Sequence, residues 1–148
     1  MRLSKNFTLK EFTRSGTAQR MDINNIPSAE KIQNIKDLVE NLLQPLRDRI
    51  DSTITINSGY RCSLLNQAVG GSFRSQHTQA QAADIDVTTI TLKELFKIIY
   101  EEFEYDKLIY EFGEWIHISY NKNNNRKITL IAKNINGTTA YSKYNGEL

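Results

Sequence analysis

The chain has 148 residues, of which 39% are hydrophobic and 24% charged, and its formal net charge is +2 at pH 7. This composition is typical of a globular domain with a sizeable core and excludes a disordered chain. Lysine and arginine are scattered, which argues against a nucleic-acid partner, and no segment approaches the ~20 apolar residues that span a membrane. A single cysteine, Cys62, excludes an internal disulfide and a multi-cysteine zinc site, and we expect it to be a small buried group.

The N-terminal third of the chain is predicted to be helical. Thr8 and Glu11 have the spacing of a capping box at the start of a short helix. After a turn-rich loop, Ser28 is the N-cap candidate of a longer helix whose apolar residues recur at helical spacing. Pro45 removes a backbone donor, so this helix is predicted to stop or kink near Leu43.

The remainder alternates strands with two further helices. Strand patterns occur at residues 52–57, 82–87, 107–112, 115–120 and 127–132. Helices are predicted at residues 63–69 and from Thr91, with Glu94 as its capping-box partner. Gly113-Glu114 joins two strands, and a two-residue loop with glycine first indicates a type II′ hairpin.

No linker or internal repeat divides the sequence, which predicts one domain over residues 1–148. The core is expected to extend over residues 6–133. Residues 134–148 are polar and are predicted to be a tail that frays or lies on the surface.

The two histidines, His77 and His117, and Asp84 form the ligand set of a catalytic zinc site with one open position. Glu114 is a candidate general base beside them. Residues three apart in a regular strand point to opposite faces, so Glu114 can face the metal with His117 only if it lies in the hairpin turn. On spacing alone, hydrogen-bonded core or surface residues are an open alternative for each of these side chains.

Taken together, the motifs resemble a family of zinc peptidases, the D-Ala-D-Ala carboxypeptidases and L-alanyl-D-glutamate endopeptidases. The resemblance rests first on Ser75-x-His77, Ala82-x-Asp84 and Trp115-x-His117. Further matches are Phe7-Thr8-Leu9-x-Glu11-Phe12, Gln44-Pro45-Leu46-Arg47, Ser58-Gly59-Tyr60-Arg61, Asn66 and Val69-Gly70-Gly71. These motifs extend over residues 6–120 of the sequence.

The resemblance implies an α+β fold with a small antiparallel sheet, helices packed on one side and a zinc cleft, as in lysostaphin-type peptidases and hedgehog domains. It implies one zinc ion held by His77, Asp84 and His117, with Glu114 as the base that activates water and protonates the leaving amine. Arg61 resembles the family's arginine that polarises the scissile carbonyl, a role that suits a fixed, always-charged donor fork.

Further side chains have weaker assignments. Ser75 matches a position that helps to bind substrate near the metal, with a loop-stabilising hydroxyl as the alternative. Tyr60, Gln76 and Trp115 are candidates to line the cleft, although aromatic residues beside strands commonly belong to the core. Asp86 shares a strand face with Asp84 and is either a carboxylate that orients a ligand histidine or a plain surface group.

Ala80 stands where the family usually has glycine in the Ser-x-His…Asp motif. If this position needs a positive φ, alanine is strained there by about 1 kcal/mol or more. The candidate ligands are retained, so the local backbone is affected before the activity is.

The implied activity is hydrolysis of an amide bond in peptidoglycan stem peptides by a monomer that has no membrane or nucleic-acid partner. The N-terminus has no apolar run after its charges, so we expect synthesis in the cytoplasm without a signal peptide. The enzyme would then act at the bacterial cell wall after assisted release, as phage endolysins do, or as part of a virion. The rivals are a bacterial cytoplasmic dipeptidase and a non-catalytic, zinc-stabilised wall-binding or virion structural module.

Overall fold

A computed structural model describes all 148 residues as a six-stranded sheet with helices. The helices are α1 (Leu9–Thr13), α2 (Gly16–Arg20), α3 (Ala29–Leu38), α4 (Gln44–Ile50), α5 (Ser63–Ala68) and α6 (Leu92–Glu102). The strands are β1 (Thr55–Ser58), β2 (Ala82–Asp86), β3 (Lys107–Glu111), β4 (Trp115–Ser119), β5 (Ile128–Ile135) and β6 (Thr138–Lys143). No helix combines the length and apolarity needed to cross a bilayer.

The kink predicted at Pro45 is a short π-helical segment between α3 and α4, Val39–Leu43. The amide of Gln44 donates to the carbonyl of Val39, five residues earlier, just before the proline begins a regular helix again. A π-helical turn contains one residue more than an α-helical turn. The hydrogen-bonding pattern therefore shifts just before Pro45, which has no amide hydrogen to donate. Both capping boxes, at Thr8 and at Thr91, are present as predicted.

One face of the sheet packs on the helices and forms the hydrophobic core, as an α+β fold requires. The strands contribute alternate residues to this core, and α3, the π-helical segment and α6 cover them. The fully buried members from these elements include Ala83, Ile85, Leu108, Ile116, Ile118, Leu38, Leu42, Leu95, Phe96 and Ile99. The opposite face carries Asp84 and His117, so the polar residues of β2 and β4 are left for the site.

The strand order is β1-β2-β4-β3-β5-β6, and four of the five pairings are antiparallel. The exception is β3 with β5, which run parallel in the register Glu111 to Ala132. Residues 120–127 carry the chain from β4 past the start of β3 to its other side, so β5 must run in the same direction as β3. The antiparallel sheet that the resemblance implied is therefore present in four of the five pairings, and the β3–β5 pair makes the whole sheet mixed.

Of the two alternatives for residues 134–148, fraying is wrong for most of the segment, whereas most of its residues do lie on the surface. Residues Thr138–Lys143 form the edge strand β6, which pairs with β5 from Leu130 to Ile135. The two strands meet at Asn136-Gly137, where both residues have positive φ, 52° and 81°. An Asn-Gly pair between strands is the strongest short-range signal for a hairpin, and the strand forms although the polar composition predicted a frayed or surface segment.

Candidate metal centre

His77, Asp84 and His117 converge on the polar face of the sheet, and their ligand atoms all lie within 4.8 Å of one another. Asp84 and His117 are directly paired residues of β2 and β4, and His77 reaches them from the loop before β2. Asp84 Oδ1 is 3.3 Å from Nε2 of His77 and 3.2 Å from Nδ1 of His117. Two imidazole nitrogens and a carboxylate oxygen from separate segments are the donor set that fits one zinc ion.

A backbone carbonyl orients the first histidine. Nδ1 of His77 lies 2.7 Å from the carbonyl oxygen of Gly59, so that nitrogen donates and Nε2 is left to face Asp84. Gly59 is held tightly against α1, because a Cβ on it would lie 2.6 Å from the carbonyl oxygen of Phe12. The next amide, that of Tyr60, donates to the same oxygen at 2.7 Å. The backbone of the Ser58-Gly59-Tyr60-Arg61 motif thus fixes the orientation of the His77 ring.

Burial and hydrogen bonding favour the protonation states that a metal ligand needs. Burial lowers the pKa of His117, although its hydrogen bond with Asp84 opposes this, so the imidazole is neutral at pH 7. Burial alone would raise the pKa of Asp84, but hydrogen bonds with His117 and His77 outweigh it and hold that pKa well below the ordinary range. Asp84 therefore presents a negative charge to a cation, beside the neutral imidazole of His117.

Arg61 borders the cluster without being tied to another side chain. Its guanidinium is partly buried, Nε has no hydrogen-bond partner, and its backbone amide donates to the carbonyl of His77. Burial lowers the pKa of Arg61, and the nearby charges of Asp84 and Glu111 oppose this effect. A cavity of about 330 Å³ is lined by Tyr60, Arg61 and Asp84 among others. A ligand in this cavity would meet unpaired guanidinium donors beside the cluster.

Gly71 and Asn66 shape the surroundings of Arg61. A Cβ on Gly71 would lie 2.1 Å from Oδ1 of Asn66 and 3.1 Å from Nη1 of Arg61. The side-chain amide of Asn66 donates to the carbonyl of Ser72 at 2.9 Å. Asn66 and Gly71 both match the family pattern, and packing of this loop around Arg61 explains why these two residue types are needed.

The candidate substrate-binding residues have different surroundings. Ser75 accepts the amide of His77 at 3.2 Å, which is the loop-stabilising alternative. The Gln76 amide nitrogen donates to Oδ2 of Asp106 at 2.7 Å, so this side chain anchors the loop to a buried carboxylate. Trp115 packs edge-on against Phe112, with ring centroids 5.6 Å apart. Tyr60 alone among the four lines the cavity that contains Arg61 and Asp84.

Asp86 is not hydrogen-bonded to either histidine. Its Oδ1 accepts the backbone amide of Val87 at 2.8 Å, so the carboxylate caps its own strand end. The carbonyl of Gly59 performs the orienting role that the sequence offered to Asp86.

Ala80 has a φ of 60° and is 1% exposed. Ala80 therefore adopts the positive φ that the glycine of the family pattern predicts. Ala80 and Gln81 donate their amides to the carbonyls of His77 and Gln76, which closes the turn between the ligand loop and β2.

The β3–β4 hairpin has a three-residue turn in place of the predicted two-residue turn. Glu111 pairs with Trp115, and Phe112 and Gly113 have φ of 58° and 69°. Both central residues of this turn have positive φ, as in a type I′ turn. Glu114 lies in the turn as expected, and its amide donates to the carbonyl of Glu111 at 2.9 Å. Its side chain is exposed and has no hydrogen bond or ion pair with the cluster.

Glu111 is a carboxylate of the site that the sequence did not identify. It shares a sheet face with Trp115 and His117, and it is partly buried. Burial and then the charge of Asp84 raise the pKa of Glu111 to about 7, although Arg61 opposes this. The signal was strand alternation: with a three-residue turn, residue 111 falls on the face of His117, whereas a two-residue turn puts it on the opposite face.

The C-terminal hairpin brings Tyr141 close to Glu111. The two residues lie in one row across the sheet, because Glu111 pairs with Ala132 and Ala132 pairs with Tyr141. Burial, together with the charges of Glu111 and Asp84, raises the pKa of Tyr141. A phenol from the last strand therefore lies on the same face and in the same row as Glu111.

The model of a protein family described as Peptidase M15 matches residues 5–119, which ends with the last residue of β4. The match includes the three candidate ligands, Arg61 and both hairpin glutamates. No curated protein is detectably similar to the chain. The hairpin of β5 and β6 lies beyond the matched region.

Proposed function

Because the chain belongs to the Peptidase M15 family of zinc D-Ala-D-Ala carboxypeptidase-like peptidases, we propose that it hydrolyses an amide bond in peptidoglycan stem peptides. The observation that carries the proposal is the convergence of His77, Asp84 and His117 within 4.8 Å. Zinc bound by these residues would polarise the scissile carbonyl and lower the pKa of a water molecule. The bond cut is either the terminal D-Ala-D-Ala bond or the L-Ala-D-Glu bond.

Arg61 is the residue we assign to the carbonyl oxygen. Its guanidinium borders the cavity with Asp84 and has an unpaired Nε. Donors that are already oriented and partly removed from water stabilise developing negative charge more strongly than donors in bulk water. Arg61 would therefore hold the oxyanion that forms when water adds to the carbonyl carbon.

Proton transfer between the attacking water and the leaving amine needs a carboxylate close to the cluster. The β3–β4 hairpin offers two, Glu111 and Glu114. The family pattern assigns the role to Glu114, the residue three positions before His117.

We place this activity at the bacterial cell wall, in phage lysis or in wall remodelling. The non-catalytic alternative is a zinc-stabilised module that binds the wall or builds a virion. A partly buried arginine without a hydrogen-bond partner at Nε and a partly buried glutamate beside the ligands support the enzyme, because a structural metal site needs neither group.

The test is incubation of the zinc-loaded protein with purified peptidoglycan and synthetic stem pentapeptides, followed by mass spectrometry. A carboxypeptidase releases the terminal D-alanine alone, whereas an endopeptidase separates L-alanine from the rest of the stem. We expect one of these products, its loss with a chelator and its return with added zinc. A zinc-bound protein that yields no chelator-sensitive product would overturn the enzyme and favour the binding module.

A further inference from the structure

We propose that Glu111, and not Glu114, is the carboxylate that transfers the proton in this site. The inference rests on the proposed function. In the reaction, Glu111 accepts a proton from water as the water oxygen bonds to the scissile carbonyl carbon. It then donates that proton to the amide nitrogen as the carbon–nitrogen bond breaks, so one water is consumed and the carboxylate is restored.

The register of three strands places Glu111 on the reacting face. Asp84 pairs with His117 on β2 and β4, and His117 pairs with Ile109 on β3. Glu111 is two residues along β3 from Ile109, so it points to the same face and is the diagonal neighbour of His117. Diagonal neighbours have Cα atoms about 7–8 Å apart. That separation suits a glutamate that reaches a water molecule at the metal without being a ligand itself.

The surroundings of Glu111 fit a reacting group better than a structural one. Its side chain is partly buried and feels the opposing charges of Asp84 and Arg61, yet it makes no hydrogen bond or ion pair with any residue. No hydrogen bond or ion pair therefore gives this carboxylate a structural role. Strand placement also makes it more rigid than a side chain in a turn.

Glu114 lacks each of these properties. It lies at the last position of the turn, its side chain is exposed, and no charged group of the cluster contacts it. From this exposed position the side chain would have to swing over the hairpin to reach the scissile bond. Glu114 is still three positions before His117, but its place at the end of the three-residue turn leaves its side chain exposed.

The decisive experiment compares Glu111→Gln with Glu114→Gln in the full-length, zinc-loaded protein, with the exposed Glu104→Gln as a matched control. We expect Glu111→Gln to lower kcat by at least ~100-fold, with unchanged zinc content and a thermal midpoint no lower than that of the wild type. Glu104→Gln should stay within a few-fold of the wild type, and Glu114→Gln should lower kcat far less than Glu111→Gln does. The reverse ranking of the two hairpin glutamates would overturn the inference and leave the proposed function standing.

A second measurement does not depend on turnover. A phosphinate analogue of a stem dipeptide imitates the tetrahedral adduct, and its binding should be accompanied by uptake of one proton onto Glu111. Calorimetry in buffers of different ionisation enthalpy should detect this proton in the wild type and in Glu114→Gln, but not in Glu111→Gln. Proton uptake that persists in Glu111→Gln, or loss of zinc from that variant, would overturn the inference. A wild type that neither binds the phosphinate nor cleaves any substrate would overturn the proposed function itself.

Discussion

Asp84 and His117 lie directly opposite each other on β2 and β4, and Asp84 Oδ1 is 3.2 Å from His117 Nδ1. His77 approaches the same oxygen at 3.3 Å from a loop anchored by Gly59. The backbone of two strands and one loop therefore arranges three donors around one point. Coordination of a cation there would replace the hydrogen bond between His117 and Asp84 and the close approach of His77 to the same carboxylate.

Asp84→Asn is expected to abolish zinc binding, because the amide keeps the shape of the ligand but loses its charge. Zinc at 100 times its Kd stabilises a protein by about 2.7 kcal/mol, so the thermal shift produced by zinc should disappear with the site. The measurements are metal content after desalting and thermal unfolding with and without zinc. The matched control is Asp86→Asn, on the same strand but bonded to the Val87 amide, and it should retain both zinc and shift. Equal zinc content in the two variants would contradict the assignment.

Arg61→Lys is expected to lower kcat by at least ~10-fold and to leave zinc content unchanged. Lysine keeps the positive charge but replaces the planar donor fork by a flexible ammonium, and loss of a donor to an oxyanion typically reduces kcat by ~10²–10³. Steady-state kinetics on a stem peptide and metal analysis provide the check. Unchanged kcat would remove Arg61 from the carbonyl site.

Asp106→Asn is expected to destabilise the protein by about 2 kcal/mol at neutral pH. The Asp106 carboxylate is 1% exposed and accepts bonds from Gln76 at 2.7 Å and from Nη2 of Arg126 at 2.8 Å. Hydrogen bonds from Arg126 lower its pKa to about 2 in the folded protein. Because the unfolded pKa is higher, at about 3.9, this contribution is present above about pH 4 and is lost as the pH falls towards 2.

Urea unfolding of the wild type and of Asp106→Asn between pH 2 and 7 tests this prediction. The difference in unfolding free energy should be largest near neutrality and shrink below about pH 4. Glu104→Gln serves as the control, since its side chain is exposed and has no partner; it should change stability by less than about 0.5 kcal/mol. A pH-independent difference for Asp106→Asn would show that the loss comes from packing and not from the charge.

Ala80→Gly and Ala80→Val should have very different effects on stability. Glycine relieves about 1–2 kcal/mol of strain at φ 60°, but it loses a buried methyl worth about 0.8 kcal/mol and adds unfolded-state entropy of about 0.4–1 kcal/mol. The net change should therefore lie within about 1 kcal/mol. Valine adds a β-branched side chain at a position that is 1% exposed, and should cost more than about 2 kcal/mol. The urea midpoints of the two variants distinguish these effects. An Ala80→Val midpoint equal to that of the wild type would contradict a strained, tightly packed turn at this position.

The sequence by itself determined which residue types meet at the site. Two histidines and an aspartate at their positions in the chain predicted the ligand set, and the strand and helix patterns predicted elements that the structure contains. Amphipathic periodicity and capping residues act locally, so Thr8, Ser28 and Thr91 could be read without knowledge of the fold. The sequence could not separate a packing role from a substrate role for Ser75 and Gln76, because their partners are set by the path of the loop.

Only the tertiary structure decided which hairpin glutamate faces the metal ligands. The turn is one residue longer than glycine placement suggested, because Phe112 takes a positive φ that large side chains rarely adopt. In a strand, a shift of one residue moves every side chain to the opposite face. That single residue of register places Glu111 beside Asp84 and Arg61 and leaves Glu114 in solvent, although the spacing between Glu114 and His117 is unchanged.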